Sequence, residues 1–230
     1  MGWHEQSLAR ERDREQELDH KIDYQRNHGR DHGRAPKEPM PNFESLTLLT
    51  NRLLLRPLRP QDAAAVFALF SNRDAMRYWS TPPWTQPELA SALIESDRRS
   101  HQEGSSLRLG MTLRQGGAEV SPVFGAITLF DIDKENQRAE IGYIQAPGQW
   151  GLGLMHEALC VLVGYGFETL KLRRIEADVD PRNKRSCRSL ERLGFVREAH
   201  LRQRWIAGGQ VIDSALYGLR EADWRAVHTE

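Results

Sequence analysis

The sequence predicts an α+β fold in which helices flank one mixed, mostly antiparallel sheet. Three strand-like runs follow one another between residues 107 and 145, separated only by short polar turns, which is typical of an antiparallel meander. A glycine-rich turn then joins the last of these strands to a long apolar helix, and the chain closes with two further strand-like runs. Strands and helices that cluster in this way indicate an α+β architecture rather than repeated βαβ units.

The composition fits one sizeable globular domain. The chain has 230 residues, of which 39% are hydrophobic and 28% are charged. Its formal net charge of +0 provides no general attraction to nucleic acids or membrane surfaces, so neither is expected as a partner. No apolar run approaches the roughly 18 residues of a membrane helix. Because Cys160 and Cys187 are its only cysteines, we expect a reduced compartment and hence a cytoplasmic location.

Residues 1–39 differ in character from the rest of the chain. They mix acidic and basic side chains with few apolar ones, so we expect a disordered, charged N-terminal extension. The histidines of this segment match no metal-ligand spacing, and a solvated tail is favoured over a metal-binding one. An alternative that stays open is that the natural protein begins at Met40. The folded domain is expected to span residues 46–227.

The first part of the domain predicts one strand followed by two helices. The run 46–58 mixes leucine with threonine and arginine in partial alternation and predicts the first strand. Residues 60–70 predict a helix that begins at a proline, and Thr85-x-x-Glu88 predicts a capping box at the start of the second helix. The loop 77–84 contains two tryptophans, which either line a binding pocket or bury their rings to fix the loop.

The meander and the glycine-rich turn come next. The three meander strands are predicted over Leu107–Arg114, Val123–Phe130 and Arg138–Gln145. Residues 146–153 form the turn, whose glycines allow positive φ angles and close approach of a ligand to the backbone. The helix that follows, residues 154–170, is apolar on nearly every side and should be deeply buried. Because the first turn of a helix has N–H groups without internal partners, this junction is suited to a phosphate chain.

The last part of the chain predicts a strand, a helix and a hairpin. Residues 174–179 alternate as a half-buried strand, and Asn183 is a good N-cap for an amphipathic helix over residues 183–193. The hairpin is predicted from residues 195–205 and 211–219, joined across two glycines. Cations are concentrated before the hairpin and create a positive field that suits a polyphosphate ligand: Lys171, Arg173, Arg174, Arg182, Lys184, Arg185, Arg188 and Arg192.

Several of these motifs occur in an order and spacing that resemble a known family. They are Ala139-Glu140-Ile141-Gly142-Tyr143, Trp150-Gly151-x-Gly153-x-Met155-x-Glu157-Ala158, Arg174-Ile175-Glu176-Ala177, Asn183-x-x-Ser186 and Leu193-Gly194-Phe195. Together they resemble the GNAT superfamily of N-acetyltransferases, and more closely its RimJ/RimL branch, whose named members acetylate the N-termini of ribosomal proteins. The resemblance covers about residues 46–227 and implies a GNAT-like three-layer fold.

The resemblance implies acetyl-CoA as co-substrate and no metal. In the family the glycine turn binds the pyrophosphate through backbone N–H groups, and the strand before it pairs with the pantetheine arm. The implied cofactor-binding residues in this chain are Tyr143, Ile144, Gln145, Trp150, Gly151, Leu152, Gly153, Leu154, Met155 and Asn183. Asn183 is expected to contact the pantetheine region, to cap its helix, or to do both.

The resemblance also implies the catalytic residues. Glu140 is expected to be the general base, directly or through water, and Ser186 is expected to place a hydroxyl near the CoA sulfur. Many superfamily members carry a tyrosine general acid where this chain has Leu190, so the proton donor should be Ser186, water or no group at all. The turn also lacks the glutamine or arginine that many members have where this chain has Gly148.

The acceptor cannot be predicted from these motifs. The RimJ/RimL resemblance implies a protein N-terminus, while a small amine such as a polyamine, an aminoglycoside or an amino-acid derivative is an alternative. A non-catalytic acyl-CoA-binding module is a third interpretation, and a homodimer is an open option. A dinucleotide-binding fold is disfavoured, because His156 stands where Gly-x-Gly-x-x-Gly needs its third glycine.

Overall fold

The computed structural model describes residues 41–116 and 118–228. The extension predicted over residues 1–39 lies outside these residues. No helix in the described part of the chain is both long and apolar enough to span a membrane.

Nine strands of the described residues form one sheet. Their bounds are β1 Leu48–Leu49, β2 Leu53–Arg56, β3 Leu107–Gln115, β4 Ala118–Glu119, β5 Gly125–Asp133, β6 Arg138–Gln145, β7 Arg174–Val179, β8 Val196–Ala207 and β9 Gln210–Arg220. The order across the sheet is β1-β2-β3-β5-β6-β7-β9-β8, with β4 paired to β3. Every neighbouring pair is antiparallel except β6 and β7, which are parallel. The mixed, mostly antiparallel sheet and the meander are thus confirmed.

Helices cover both faces of this sheet. The helices are α1 Ala63–Phe70, α2 Glu88–Glu103, α3 Leu154–Glu168, α4 Lys184–Arg192 and α5 Glu221–His228, with short 3-10 turns at Pro60–Asp62 and Pro147–Gln149. Helices α3 and α4 share the larger core, whereas α1 and α2 pack on a second core. Within α3, a side chain at Gly166 would lie 3.1 Å from Ile175 Cδ1, so this glycine allows the helix to approach the sheet closely.

Four details differ from the prediction. The run 46–58 contains two short strands, β1 and β2, because the chain turns back at residues 50–52. The capping box at Thr85 does not form, because α2 begins at Glu88 and its N-cap position is Pro87, which makes no side-chain cap hydrogen bond. Strand β4 and helix α5 were not predicted, since β4 has only two residues and α5 follows β9 without a break.

A buried arginine joins three elements on the side of β2. Arg56 is only 4% exposed, and its guanidinium donates to both carboxylate oxygens of Asp62 and of Glu119 at 2.7–3.0 Å. A further N–H donates to the carbonyl of Pro57 at 3.0 Å. All five donors of the side chain are therefore used, and they tie β2 to β4 and to the 3-10 turn before α1.

The separation of β6 from β7 is the feature that creates the site. The two strands pair only at Arg138, Ala139 and Glu140 of β6, opposite residues 174–176 of β7. Beyond Glu140 the strands diverge, and β6 remains paired with β5 alone as far as Gln145. One edge of β6 is consequently open just before the glycine turn.

Candidate functional site

A cavity of about 910 Å³ lies beside the open edge of β6. The glycine turn and the first turn of α3 form one wall, α4 and the two residues before it form another, and the loop after α1 forms the third. The lining residues are Asp74, Ala75, Arg77, Tyr78, Trp79, Tyr143, Gln145, Trp150, Gly151, Gly153, Met155, His156, Arg182, Asn183, Lys184, Arg185, Ser186, Arg188, Ser189 and Arg192.

The glycine turn presents backbone N–H groups at the start of α3. Gly151 and Gly153 have φ angles of 79° and 76°, which side chains rarely permit, and Gly153 is the N-cap of the helix. The N–H of Glu157 is bonded back to the Gly153 carbonyl at 3.1 Å. The N–H groups of Leu154 and Met155 come earlier in the same turn and have no intrahelical acceptor, so they favour an anion.

A polar network behind the turn fixes its shape. Glu157 accepts hydrogen bonds from the hydroxyl of Thr50, from the N–H of Arg52 at 2.9 Å and from Arg52 Nε at 2.7 Å. Arg52 Nη1 also donates to the carbonyl of Leu152 at 2.9 Å. Burial alone would raise the pKa of Glu157, but these hydrogen bonds lower it. The β1–β2 turn therefore supports the glycine turn, although about a hundred residues separate the two segments in sequence.

At the open edge of β6, alternate residues direct their backbone N–H and C=O groups into the gap between β6 and β7. Ala146 donates its N–H to Phe124 beside β5, and Ile144 pairs with Ala126 of β5. Successive residues of a strand direct their backbone groups to opposite edges, so Tyr143 and Gln145 face the gap left by β7. The indole Nε1 of Trp150 already donates to the Gln145 carbonyl at 2.9 Å, which supports this orientation.

The start of α4 meets β6 across the gap. Asn183 caps the helix as predicted, because its Oδ1 accepts from the N–H of Ser186 at 3.1 Å. The Tyr143 hydroxyl lies 2.7 Å from Ser186 Oγ and 3.3 Å from the Ser186 carbonyl. The family resemblance assigned only the backbone of Tyr143 to ligand binding. It missed this contact because nothing in the local pattern indicates that β6 and α4 meet there.

The cavity wall is strongly basic. Five of the predicted cations line it, and Asp74 is the one carboxylate among the described lining residues. Arg182 is paired with Asp180, and the guanidinium of Arg185 lies 4.9 Å from the ring centre of Trp150. This excess of positive charge is suited to a ligand with several negative charges. The basic lining residues are Arg182, Lys184, Arg185, Arg188 and Arg192, together with Arg77.

Glu140 lies outside the cavity lining, at the point where β6 and β7 separate. It is paired in register with Glu176, and its side chain is half-buried. Burial raises the pKa of Glu140, and the negative charges of Asp131, Glu176 and Asp178 raise it further. A half-buried carboxylate with a raised pKa is a candidate proton acceptor.

The aromatic loop packs both tryptophan rings against α1, and one of the two also lines the cavity. Trp84 stacks on Phe70 with ring centres 4.5 Å apart, and Trp79 meets the same ring edge-on at 5.6 Å. Trp79 and Tyr78 also line the cavity. The rings therefore fix the loop on α1 while the loop closes one wall.

Most of the predicted site residues come together in this cavity. Tyr143, Gln145, Trp150, Gly151, Gly153, Met155, Asn183 and Ser186 line it. The other four do not: Glu140 lies at the strand divergence, Ile144 is buried in the second core, Leu152 is 54% exposed, and Leu154 is buried in the larger core. Within residues 41–116 and 118–228, no group of three or more His, Cys, Asp or Glu side chains could hold a metal ion.

Comparison with known proteins identifies the family of this chain. Residues 52–196 match the family model described as an acetyltransferase (GNAT) domain. The chain is 35% identical over 172 residues to the uncharacterized N-acetyltransferase YoaA of Bacillus subtilis (strain 168), covering 75% of this chain and 95% of YoaA.

Two further relatives from Escherichia coli (strain K12) have named acceptors. The [ribosomal protein uS5]-alanine N-acetyltransferase is 27% identical over 188 residues, which is 80% of this chain and 95% of that protein. The spermidine N(1)-acetyltransferase is 29% identical over 156 residues, which is 68% of this chain and 79% of that protein. The uS5 relative supports the resemblance to the RimJ/RimL branch. The match over more than half of the chain, together with the divergent strands and the glycine turn, shows that this protein belongs to the GNAT family of acetyltransferases.

Proposed function

We propose that the protein transfers an acetyl group from acetyl-CoA to a primary amine. One observation carries the proposal: a single cavity joins the glycine turn, the open edge of β6 and the hydroxyl of Ser186. Acetyl-CoA has a pyrophosphate, two amides and a thioester in series, and these three features of the cavity complement them in the same order.

The proposed placement of acetyl-CoA follows from the direction of the backbone groups. The pyrophosphate accepts hydrogen bonds from the N–H groups of the glycine turn and of Leu154 and Met155. The pantetheine amides pair with Tyr143 and with the N–H of Gln145, because those groups face the gap. Ile144 is left out of this contact set, since its backbone faces β5. The basic side chains of the cavity wall would neutralise the phosphate charge that the backbone N–H groups do not.

The proposed chemistry is direct transfer. The amine nitrogen attacks the thioester carbonyl, and the C–S bond breaks with its electron pair on sulfur. Glu140 takes the proton that the amine loses, directly or through water, and Ser186 donates a hydrogen bond to the thiolate. The thiolate takes a proton from water after it leaves. Residue 190 is a leucine, which has no proton to donate, and its side chain is fully buried in the core.

We infer a protein N-terminus as the first candidate acceptor, because the uS5-alanine relative acetylates one and covers most of this chain. A polyamine is the second candidate. The acidic side chains around Glu140 favour this candidate. Glu176, Asp178 and Asp131 are close enough to Glu140 to raise its pKa. Carboxylates at the amine end of the site would attract a multiply charged cation.

The experiment that tests the proposal is thiol release from acetyl-CoA. The purified chain is incubated with acetyl-CoA and either peptides with different N-terminal residues or small amines that include spermidine. We expect CoA release that depends on the acceptor and that yields an acetylated amine by mass spectrometry. Binding of acetyl-CoA without release for any amine would contradict catalysis and favour the non-catalytic module. No binding would contradict both.

Arg52→Ala is expected to raise the KM for acetyl-CoA about tenfold while changing the KM for the amine little. The variant loses the bonds from Arg52 to Glu157 and to the Leu152 carbonyl, so the turn no longer holds its N–H groups in place. A tenfold change corresponds to about 1.4 kcal/mol, near the lower end of what hydrogen bonds to charged groups contribute. Steady-state kinetics with each substrate varied in turn provide the measurement.

The matched control for this prediction is Arg98→Ala. Arg98 is an exposed arginine that pairs with Glu95 on α2 at 2.7 Å, outside the cavity lining. Its removal should leave both KM values unchanged. Equal kinetics for the Arg52 and Arg98 variants would show that the network does not support the turn.

A further inference from the structure

A phenol from β6 reaches the helix that carries the candidate catalytic serine. The Tyr143 side chain is half-buried, packs against the larger core and ends 2.7 Å from Ser186 Oγ. The two residues are 43 positions apart in sequence, and their hydroxyls bridge the gap between β6 and α4. Both residues line the cavity.

In the contact at 2.7 Å either hydroxyl could be the donor. Burial raises the pKa of Tyr143 well above its usual value of 10, so the hydroxyl keeps its proton throughout the working pH range. The phenol therefore has a proton to donate to Ser186. Ser186 Oγ is the nearer acceptor, at 2.7 Å, while the Ser186 carbonyl lies at 3.3 Å and also serves the helix.

We propose that Tyr143 is a positioning residue that orients the Ser186 hydroxyl toward the thioester sulfur. When Ser186 Oγ accepts from Tyr143, its own proton is free to point into the cavity. The Ser186 O–H then hydrogen-bonds the sulfur as the C–S bond breaks and the electron pair moves to sulfur. No proton passes through Tyr143, because a phenol with a strongly held proton is a poor acid toward a thiolate.

This inference rests on the proposed function and extends it to a second hydroxyl. The inference explains how the reaction could proceed without a tyrosine at residue 190. Ser186 donates the hydrogen bond to the thiolate, and Tyr143 of β6 orients Ser186. The competing explanation is purely structural, in which Tyr143 only ties β6 to α4. A second tyrosine separates the two explanations: Tyr217 of β9 donates to Glu191 of the same helix at 3.1 Å.

The test compares Tyr143→Phe, Ser186→Ala, the double variant and Tyr217→Phe in the thiol-release assay at saturating acetyl-CoA and amine. We expect Tyr143→Phe to lower kcat about tenfold, with the KM for acetyl-CoA and the shape of the pH profile unchanged. The double variant should be no slower than Ser186→Ala alone, because Tyr143 acts only through Ser186. Tyr217→Phe should keep the kcat of the wild type.

Three results would overturn the inference. One is a kcat of Tyr143→Phe equal to that of the wild type. Another is an effect in the double variant equal to the product of the two single effects. The third is an equal loss in Tyr143→Phe and Tyr217→Phe, which would indicate that both merely hold α4. If the wild type itself releases no thiol with any amine, the proposed function fails and this inference fails with it. The thermal midpoint of each variant, measured alongside, identifies any loss caused by unfolding.

Discussion

Glu140→Gln is expected to abolish most acetyl transfer while making the folded protein more stable at neutral pH. Glutamine keeps the size of the side chain but cannot accept a proton from the amine. General-base catalysis contributes about 10²–10⁴-fold to rate, so kcat should fall by roughly that factor. The carboxylate of Glu140, which we propose as the base, is also the group whose negative charge is disfavoured by the acidic side chains around it.

The gain in stability follows from the pKa of Glu140. Burial and the charges of Asp131, Glu176 and Asp178 raise this pKa in the folded state above its value of 4.5 in the unfolded chain. The folded protein therefore binds more protons than the unfolded chain between these two pKa values, and the free energy of unfolding falls as pH rises through that window. Because glutamine carries no charge, the Glu140→Gln variant should keep this free energy of unfolding at neutral pH. Below about pH 4.5 both states are protonated, and the difference from the wild type should disappear.

Glu176→Gln provides the matched control. Glu176 lies opposite Glu140 in register, but its carboxylate is paired with Arg138 at 3.1 Å and Arg174 at 2.7 Å. Its neutralisation should remove favourable ion pairs and should leave kcat largely intact. Thermal unfolding at several pH values and kcat from thiol release provide the two readouts. A Glu140→Gln variant with unchanged kcat at every pH would show that Glu140 is not the base.

Arg56→Ala is expected to destabilise the protein by about 3–5 kcal/mol, because it leaves two carboxylates without their buried partner. Each of the five N–H donors of Arg56 has an acceptor, and the side chain is almost fully enclosed. Burial by itself would raise the pKa of Asp62, yet the bonds from Arg56 lower it, so the pair is ionised in the fold. Urea unfolding of the variant and the wild type gives the free-energy difference.

Two variants check the origin of this effect. Arg56→Lys retains the charge but lacks the planar fork that reaches Asp62 and Glu119 together, so it should recover only part of the loss. Arg98→Ala removes an exposed pair and should change stability by less than about 1 kcal/mol. An Arg56→Ala variant as stable as Arg98→Ala would mean that the buried cluster contributes little to the fold.

Local patterns in the sequence predicted the elements, while contacts between distant segments needed the structure. The bounds of β6 and β7 and the cap at Asn183 depend on alternation and on helix-start chemistry, which a single sequence carries. Arg56 was not singled out, because Glu119 lies 63 residues away and belongs to a strand of two residues. Thr50 and Arg52 were assigned to one continuous strand. The turn from which their side chains reach Glu157 was therefore not predicted.

The same limit applies within the candidate site. The motif assigned Tyr143 to cofactor binding through its backbone, and the structure adds a side-chain contact with Ser186 that depends on where α4 packs. Ile144 was predicted to bind the cofactor because it lies between Tyr143 and Gln145. Its backbone groups instead face β5, because backbone direction alternates along a strand. Glu140 was predicted from the resemblance alone. Its raised pKa depends on burial and on acidic residues of two other strands, Asp131 of β5 and Glu176 and Asp178 of β7, which only the fold brings close to it.

Backbone hydrogen exchange with and without acetyl-CoA tests the central claim most directly, because it reports where the ligand binds. On addition of acetyl-CoA, we expect slower exchange at Leu154 and Met155 at the start of α3 and at Tyr143 and Gln145 of β6. The N–H of Ile144 already faces β5 and should change little. Protection at the four sites without a change at Ile144 is the predicted result. Unchanged exchange at Leu154 and Met155 in the presence of saturating acetyl-CoA would contradict the account.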